Sequence, residues 1–114
     1  MAISWGIKER VRFEAGGPLG QWRPGGLSAV YAFTYKRDPH NKPKAHTVLY
    51  FGESADLSQE TNVMSDVLEQ LANGHIEASD LFVFIHPMPG STRFERSEIT
   101  RRLIADYRPP CNGY

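Results

Sequence analysis

The sequence predicts a small α/β or α+β domain, in which a mixed or antiparallel β-sheet is flanked by helices. Aromatic and β-branched segments show strand periodicity, and other segments carry apolar residues at helical spacing behind capping residues. The order of these segments along 114 residues is β, β, β, α, β, α. This length supports one domain, 1–114, with a core over 27–112 and an N-terminal strand and loop in 1–26.

The N-terminal part predicts one strand followed by a loop. Ile7, Val11 and Phe13 lie in a partly alternating stretch that is typical of an edge strand. Segment 15–26 holds five glycines and two prolines in 12 residues, which favours a loop.

The next two apolar segments predict a hairpin. In segment 28–36, period two places Tyr31, Phe33 and Tyr35 on one face of a strand. Segment 47–52 follows a polar, proline-containing loop and is the simplest partner for that strand. Tyr31 and Tyr50 would then lie on neighbouring strands.

Asp56 and Gln59 resemble a capping box that starts a helix, and Asn73-Gly74 is suited to end it. Glu60 falls on the apolar stripe of this helix and should face the protein near the helix start. The short apolar run 81–86 predicts a strand covered on both faces, at the centre of the sheet. The apolar stripe of the helix is Leu57, Met64, Val67, Leu68 and Leu71.

Thr92 and Glu95 form a second capping box, which predicts the start of the last helix. The sequence Arg108-Pro109-Pro110 predicts its end, since proline cannot continue a helix. The apolar stripe of this helix consists of Ile99, Leu103, Ile104 and Tyr107.

The formal net charge is zero, but charge is unevenly distributed along the chain. Residues 1–44 carry +5, residues 45–92 carry −7 with no Lys or Arg, and residues 93–114 carry +2. The longest runs free of charged residues have 12 residues, too short for a membrane helix. A single cysteine, Cys111, and no signal peptide lead us to expect a cytoplasmic protein.

Several segments, in this order, resemble the GIY-YIG endonuclease family over residues 27–112, about three quarters of the chain. Two of them correspond to the strand motifs that name the family, one to a leucine at a helix start, and two to its closing Leu-Ile pair and Pro-x-x-Asn tail. In chain order they are Ala29-Val30-Tyr31, Tyr50-Phe51-Gly52, Leu57, Leu103-Ile104 and Pro109-Pro110-Cys111-Asn112.

The resemblance implies a GIY-YIG-like fold and phosphodiester cleavage that depends on a divalent cation, Mg²⁺ or Mn²⁺. It implies that Tyr31 helps to activate the attacking water and that Tyr50 completes the site. A cation and an arginine stabilise the charge that accumulates in phosphoryl transfer. No other cofactor is implied, and the sequence does not name the metal ligands of this chain.

The chain departs from the family pattern at two site positions. The family arginine corresponds to Glu60, whose carboxylate would repel a phosphate. The family glutamate corresponds to Thr100, whose hydroxyl is a much poorer ligand for Mg²⁺. Glu98 points about 200° away from Thr100 around the helix and does not replace it without a register shift. The resemblance therefore predicts a domain impaired or inactive in cleavage.

Each candidate also has a purely structural interpretation. Tyr31 and Tyr50 are equally explained as strand residues that pack on their neighbours. An acid such as Glu60 is favoured in the first turn of a helix, where it interacts with the helix dipole. The four histidines lack ligand spacing, so a zinc site is not predicted.

Three functions stay open: an impaired domain that binds nucleic acid, an active endonuclease using Glu98, and an interaction module whose acidic first helix meets a basic protein. Basic residues near the hairpin loop and in the tail predict the nucleic-acid contacts, although they also suit a solvated surface. The residues predicted to bind nucleic acid are Lys36, Arg37, Lys42, Lys44, Arg101 and Arg102, and the wider basic rim adds Arg93, Arg96 and Arg108.

Overall fold

The computed structural model describes residues 2–19, 22, 25–35, 46–60, 66, 69 and 81–112. In these residues five strands form one sheet in the order β1-β2-β5-β3-β4, and every neighbouring pair is antiparallel. The fold is α+β, as predicted, with an antiparallel sheet. The strands are β1 Ala2–Trp5, β2 Val11–Pro18, β3 Ala29–Tyr35, β4 Thr47–Ser54 and β5 Leu81–Pro87, and helix α1 is Arg93–Tyr107.

The predicted hairpin and the predicted central strand are both confirmed. Strands β3 and β4 pair antiparallel, and β5 lies in the middle of the sheet between β2 and β3. β5 is covered on both faces because its alternate residues, such as Val83 and Phe84, belong to two different apolar clusters.

The N-terminal prediction was wrong in two respects. Ile7 lies in a loop, and the edge strand is β1, while β2 is an interior strand. Residues 15–18 continue β2, although they were predicted as loop. The glycines mark an irregular pairing between Ala15 and Gly17, where Gly17 adopts a φ of +94°. Glycine at a bulge keeps the strand paired while its direction changes.

At the predicted start of the helix after β4, the structure has a 3₁₀ turn, Leu57–Gln59. Asp56 caps this turn, but its carboxylate accepts from the N–H of Ser58 rather than from Gln59. Asp66 and Glu69 are helical and exposed. The predicted stripe residues Met64, Val67, Leu68 and Leu71, and the stop at Asn73-Gly74, lie outside the described residues.

Helix α1 confirms the predicted caps. Thr92 and Glu95 form the reciprocal capping box, and Arg108 ends the helix in the left-handed conformation, directly before the two prolines. The predicted apolar stripe is confirmed for Leu103, which is buried, and for Ile99 and Ile104, which pack against the same cluster. Tyr107 is 40% exposed, although its ring contacts Phe51.

The sheet separates two apolar clusters. One cluster, which we call the tyrosine face, contains Tyr31, Phe33 and Leu57, with Tyr50 packed against it. The opposite cluster, the helix face, contains Phe51 and other sheet residues under Leu103 of α1. Since successive residues of a strand point to opposite faces, Tyr31 and Val30 lie on different sides of β3.

Candidate functional site

The two predicted site tyrosines lie together on the tyrosine face. Tyr31 on β3 is 1% exposed, and its ring centroid is 6.1 Å from that of Tyr50 on β4. Phe33 stacks on Tyr50 at 5.8 Å and lies 5.3 Å from Tyr31. The sequence prediction that Tyr31 and Tyr50 lie on neighbouring strands is confirmed.

Gly52 makes room for the Tyr31 ring. It lies directly opposite Tyr31 in the β3–β4 register. An ideal Cβ on Gly52 would lie 2.4 Å from Cζ and 2.5 Å from Oη of Tyr31, and 2.8 Å from Cε1 of Tyr50. No real side chain tolerates such distances without displacement. The Tyr50-Phe51-Gly52 sequence thus has a local reason: period two places both end residues on the tyrosine face, and the second must lack a side chain.

The two phenols interact electrostatically. The pKa of Tyr31 is raised far above its ordinary value, first because the side chain is buried, then because Tyr50 and Glu60 lie nearby. The pKa of Tyr50 is also raised, mainly by burial, although its side-chain interaction with Tyr31 acts in the opposite direction. Tyr31 is therefore a neutral phenol near pH 7, able to donate a hydrogen bond but not to act as a phenolate base.

Glu60 brings negative charge to these tyrosines. It follows the 3₁₀ turn as its C-cap, is partly buried, and disfavours ionisation of both Tyr31 and Tyr50 by charge repulsion. This agrees with the prediction that Glu60 faces the protein near the start of the helix. The charge near the phenols is therefore acidic where the family resemblance implies a cation.

Thr100 and Glu98 are not brought to the tyrosines. Thr100 is buried on the side of α1 that packs against the sheet. Its hydroxyl donates to the carbonyl of Arg96 at 2.9 Å. Glu98 points away from the sheet and pairs with Arg101 at 2.6 Å. The sheet itself lies between both residues and Tyr31.

A buried ion pair that the sequence reasoning missed joins α1 to β4. The side chain of Arg96 is 4% exposed, and its Nε donates to Glu53 at 2.9 Å. The same guanidinium donates to the carbonyl and hydroxyl oxygens of Ser91 at 2.7 and 2.9 Å. Arg96 was expected in an exposed basic rim, and that expectation was wrong. Two signals were present: Arg96 lies seven residues before Leu103, and Glu53 lies two after Phe51 on the same strand face.

The C-terminal tail closes the outer edge of β4. The amide of Asn112 accepts a hydrogen bond from the N–H of Phe51 and donates one to its carbonyl, both at 2.9 Å. A side-chain amide here takes the place that a neighbouring strand would take. The Pro-x-x-Asn tail was noted in the sequence only as a family match, and this contact gives it a structural role.

Arg101 and Arg102, both predicted to bind nucleic acid, are exposed on α1. Their side chains are 74% and 57% exposed, and each pairs with an acid, Glu98 and Glu9 respectively, at 2.6 Å. The other predicted contacts, Lys36, Arg37, Lys42 and Lys44, lie outside the described residues.

Comparison of the chain with protein-family models, curated proteins and solved structures gave no match. Membership of the GIY-YIG family is therefore a proposal that depends on the residues described above. Within the residues described by the structure, no three His, Cys, Asp or Glu side chains are grouped to hold a metal ion. Across the same residues, no helix has the length and apolar character needed to span a membrane.

Proposed function

We propose that this chain is a GIY-YIG-like domain that binds nucleic acid and cleaves phosphodiesters weakly or not at all. The observation that carries the proposal is the separation of the candidate residues. Tyr31, Tyr50 and Glu60 lie together on one face of the sheet, while Thr100 and Glu98 belong to a helix on the other.

The charge of the site supports impaired cleavage. Phosphoryl transfer needs positive charge where the equatorial oxygens of the phosphate become more negative. The Glu60 carboxylate instead places negative charge close enough to raise the pKa of both phenols. A phosphate placed against Tyr50 would meet repulsion rather than stabilisation.

The state of the phenols supports the same conclusion. Activation of water by Tyr31 requires its hydroxyl to accept a proton or to pass one on. Burial and negative neighbours hold Tyr31 in its protonated form. Tyr31 thus serves to fill and order the tyrosine face, together with Gly52.

Nucleic-acid binding is proposed on the exposed arginines of α1 and the basic hairpin loop. Arg93, Arg101 and Arg102 have side chains that are 88%, 74% and 57% exposed, so they are accessible to phosphates. Their acidic partners weaken this surface, because Glu98 and Glu9 each neutralise one arginine. We expect modest affinity that falls steeply with salt, as phosphate contacts release counterions.

A cleavage assay tests the catalytic half of the proposal. Plasmid and branched DNA are incubated with the protein and Mg²⁺ or Mn²⁺, in parallel with Tyr31→Phe. We expect no cleavage above that of the mutant. Cleavage by the wild type that disappears in Tyr31→Phe would establish an active metal-dependent endonuclease and overturn the proposal.

A binding assay tests the other half. The affinity for single-stranded, duplex and branched DNA is measured by fluorescence anisotropy at several salt concentrations. Arg101→Glu and a Lys42→Glu/Lys44→Glu variant should each weaken binding several-fold, while Arg12→Glu, an exposed charge reversal on β2, should have a smaller effect. Glu60→Arg should strengthen binding. Equal losses in all variants, or no binding at low salt, would contradict the proposed surface.

One observation favours a second candidate, a module that binds a basic protein. Asp66 and Glu69 are helical and exposed, and residues 45–92 contain no Lys or Arg. On this hypothesis, charge reversal at both acids abolishes capture of a basic partner, and nucleic-acid binding stays undetectable. Nucleic-acid binding that survives this double reversal would favour the first proposal.

A further inference from the structure

The outward side of helix α1 carries a regular stripe. Phe94, Glu98, Arg101 and Ala105 follow one another at intervals of four, three and four residues. At 100° per residue these positions fall within an arc of about 60°. Alternating intervals of four and three are the spacing by which one helix packs along another. The stripe faces away from the sheet, since the buried residues of α1 are Arg96, Thr100 and Leu103.

The two ends of this stripe are apolar. Phe94, near the N-terminal end of α1, is 73% exposed. Ala105, at the other end, lines a groove of about 630 Å³ between α1 and the β1–β2 loop, together with Val11 and Ile99. Ile7, 71% exposed, also lines that groove.

The middle of the stripe holds one acid and one base. Glu98 and Arg101 form an ion pair within the helix at 2.6 Å, with Arg101 74% exposed. Exposed pairs of this kind contribute little, typically less than about 1 kcal/mol. Exchange of this pair for an equivalent pair with another molecule therefore costs little.

We propose that two copies of this chain associate through α1, with the helices antiparallel about a two-fold axis between Glu98 and Arg101. A two-fold interface requires a surface that complements itself, and this stripe meets that requirement. Glu98 of each copy faces Arg101 of the second copy, and the same register places each Phe94 against Ala105 of the second copy.

The register set by the charged pair also brings apolar surfaces together at the groove. With Glu98 opposite Arg101, Phe94 of one copy arrives at the mouth of the groove of the other, beside Ile7. Phe94 and Ile7 both lose contact with water in this arrangement. No other register pairs the acid with the base and the aromatic ring with the groove at once.

The dimer should be weak. One 15-residue helix from each copy, with the adjoining loop, gives an area at or below the low end of stable interfaces. Monomer and dimer should thus exchange with protein concentration. Because Arg101 lies in the stripe, dimerisation should also compete with nucleic acid for this surface, although the dimer itself does not depend on nucleic-acid binding.

Analytical ultracentrifugation over a wide range of protein concentration tests the proposal on the full chain, free of nucleic acid. We expect a reversible monomer–dimer equilibrium in the wild type. Phe94→Ala should weaken it by roughly tenfold or more, because an interface aromatic is lost. Glu98→Arg and Arg101→Glu should each abolish the dimer, since each places like charges at both symmetric contacts.

The decisive variant is the charge exchange Glu98→Arg/Arg101→Glu, which restores opposite charges across the two-fold axis and within the helix. It should recover the dimer to within about threefold of the wild type, a difference of about 0.6 kcal/mol. Arg12→Glu, an exposed charge reversal on β2 outside the stripe, is the matched control and should leave association unchanged. Circular dichroism of each variant checks that the fold is retained.

A wild type that stays monomeric at the highest attainable concentration would overturn the proposal. A dimer that is insensitive to Phe94→Ala and to both single reversals would show that another surface associates. Loss of the dimer in both single reversals without recovery in the charge exchange would show that the proposed register is wrong.

Discussion

Replacement of Gly52 by alanine should disturb the packing of the tyrosine face. The added Cβ would lie 2.4 Å from Cζ of Tyr31, where carbon atoms in contact are about 3.5 Å apart. The ring must therefore move by about 1 Å. It has little space to do so, because it is 1% exposed and packs against the rings of Phe33 and Trp22 at 5.3 and 6.3 Å.

Overpacking of a filled core costs about 1–3 kcal/mol, and the close contact with both Tyr31 and Tyr50 places Gly52→Ala at the upper end. We expect a loss of about 3 kcal/mol in the free energy of unfolding, which at about 4 °C per kcal/mol lowers Tm by about 12 °C. Urea denaturation followed by circular dichroism and fluorescence measures the first quantity, and calorimetry the second.

Gly25→Ala is the control, because a Cβ on Gly25 meets no atom within 4 Å. It should change stability by no more than about 0.5 kcal/mol. Tyr31→Leu removes the atoms that the new methyl group strikes, so the double variant with Gly52→Ala should cost less than the sum of the two single changes by about 1 kcal/mol or more. A Gly52→Ala protein as stable as the wild type, or strict additivity in the double variant, would refute the proposed contact.

Three further predictions concern stability. Glu53→Gln leaves the buried guanidinium of Arg96 without its counter-charge and should lower the free energy of unfolding, measured in urea, by about 3 kcal/mol. Glu98→Gln, in an exposed pair, should lower it by less than about 1 kcal/mol. Equal losses in the two variants would contradict the difference in burial between the pairs. Asn112→Ala removes two hydrogen bonds from the outer edge of β4 and should lower the free energy of unfolding by about 1–3 kcal/mol. The backbone amides of β4 should also exchange faster with solvent, and unchanged protection of these amides would contradict the role of Asn112 at this edge. Because the pKa of Tyr31 is raised in the folded protein, this group should not affect the free energy of unfolding below a pH of about 10, its pKa in the unfolded chain. Above that pH, the free energy of unfolding should fall by up to about 1.4 kcal/mol per pH unit. Tyr31→Phe should lack this decrease, and an identical slope in the variant would contradict the assignment.

Local patterns in the sequence were sufficient for much of the fold. The alternation around Tyr31 and the turn-rich loop after it predicted the hairpin, and the structure pairs β3 with β4. The uninterrupted apolar run of β5 predicted its central place, because only a strand covered on both faces tolerates it. Thr92 and Glu95 predicted the start of α1, since a capping box needs only residues three positions apart.

Glycine signals were ambiguous. Near Gly17, the same residues that favour a loop instead produced an irregularity within a paired strand. At Gly52, the glycine was noted for its place in a motif, while its physical role depends on a tyrosine 21 positions earlier in the chain. A glycine permits unusual conformations and close approach, and the sequence does not state which of these is used.

The sequence by itself determined strands β3, β4 and β5, where α1 is capped, and that Tyr31 and Tyr50 are neighbours. These features depend on spacing along the chain. Only the tertiary structure decided that Thr100 lies across the sheet from the tyrosines, that Arg96 is buried against Glu53, and that the tail closes the edge of β4. Each of these depends on which faces of distant elements meet. That choice is made by the packing of the whole core, because local periodicity fixes only that a segment has an apolar side.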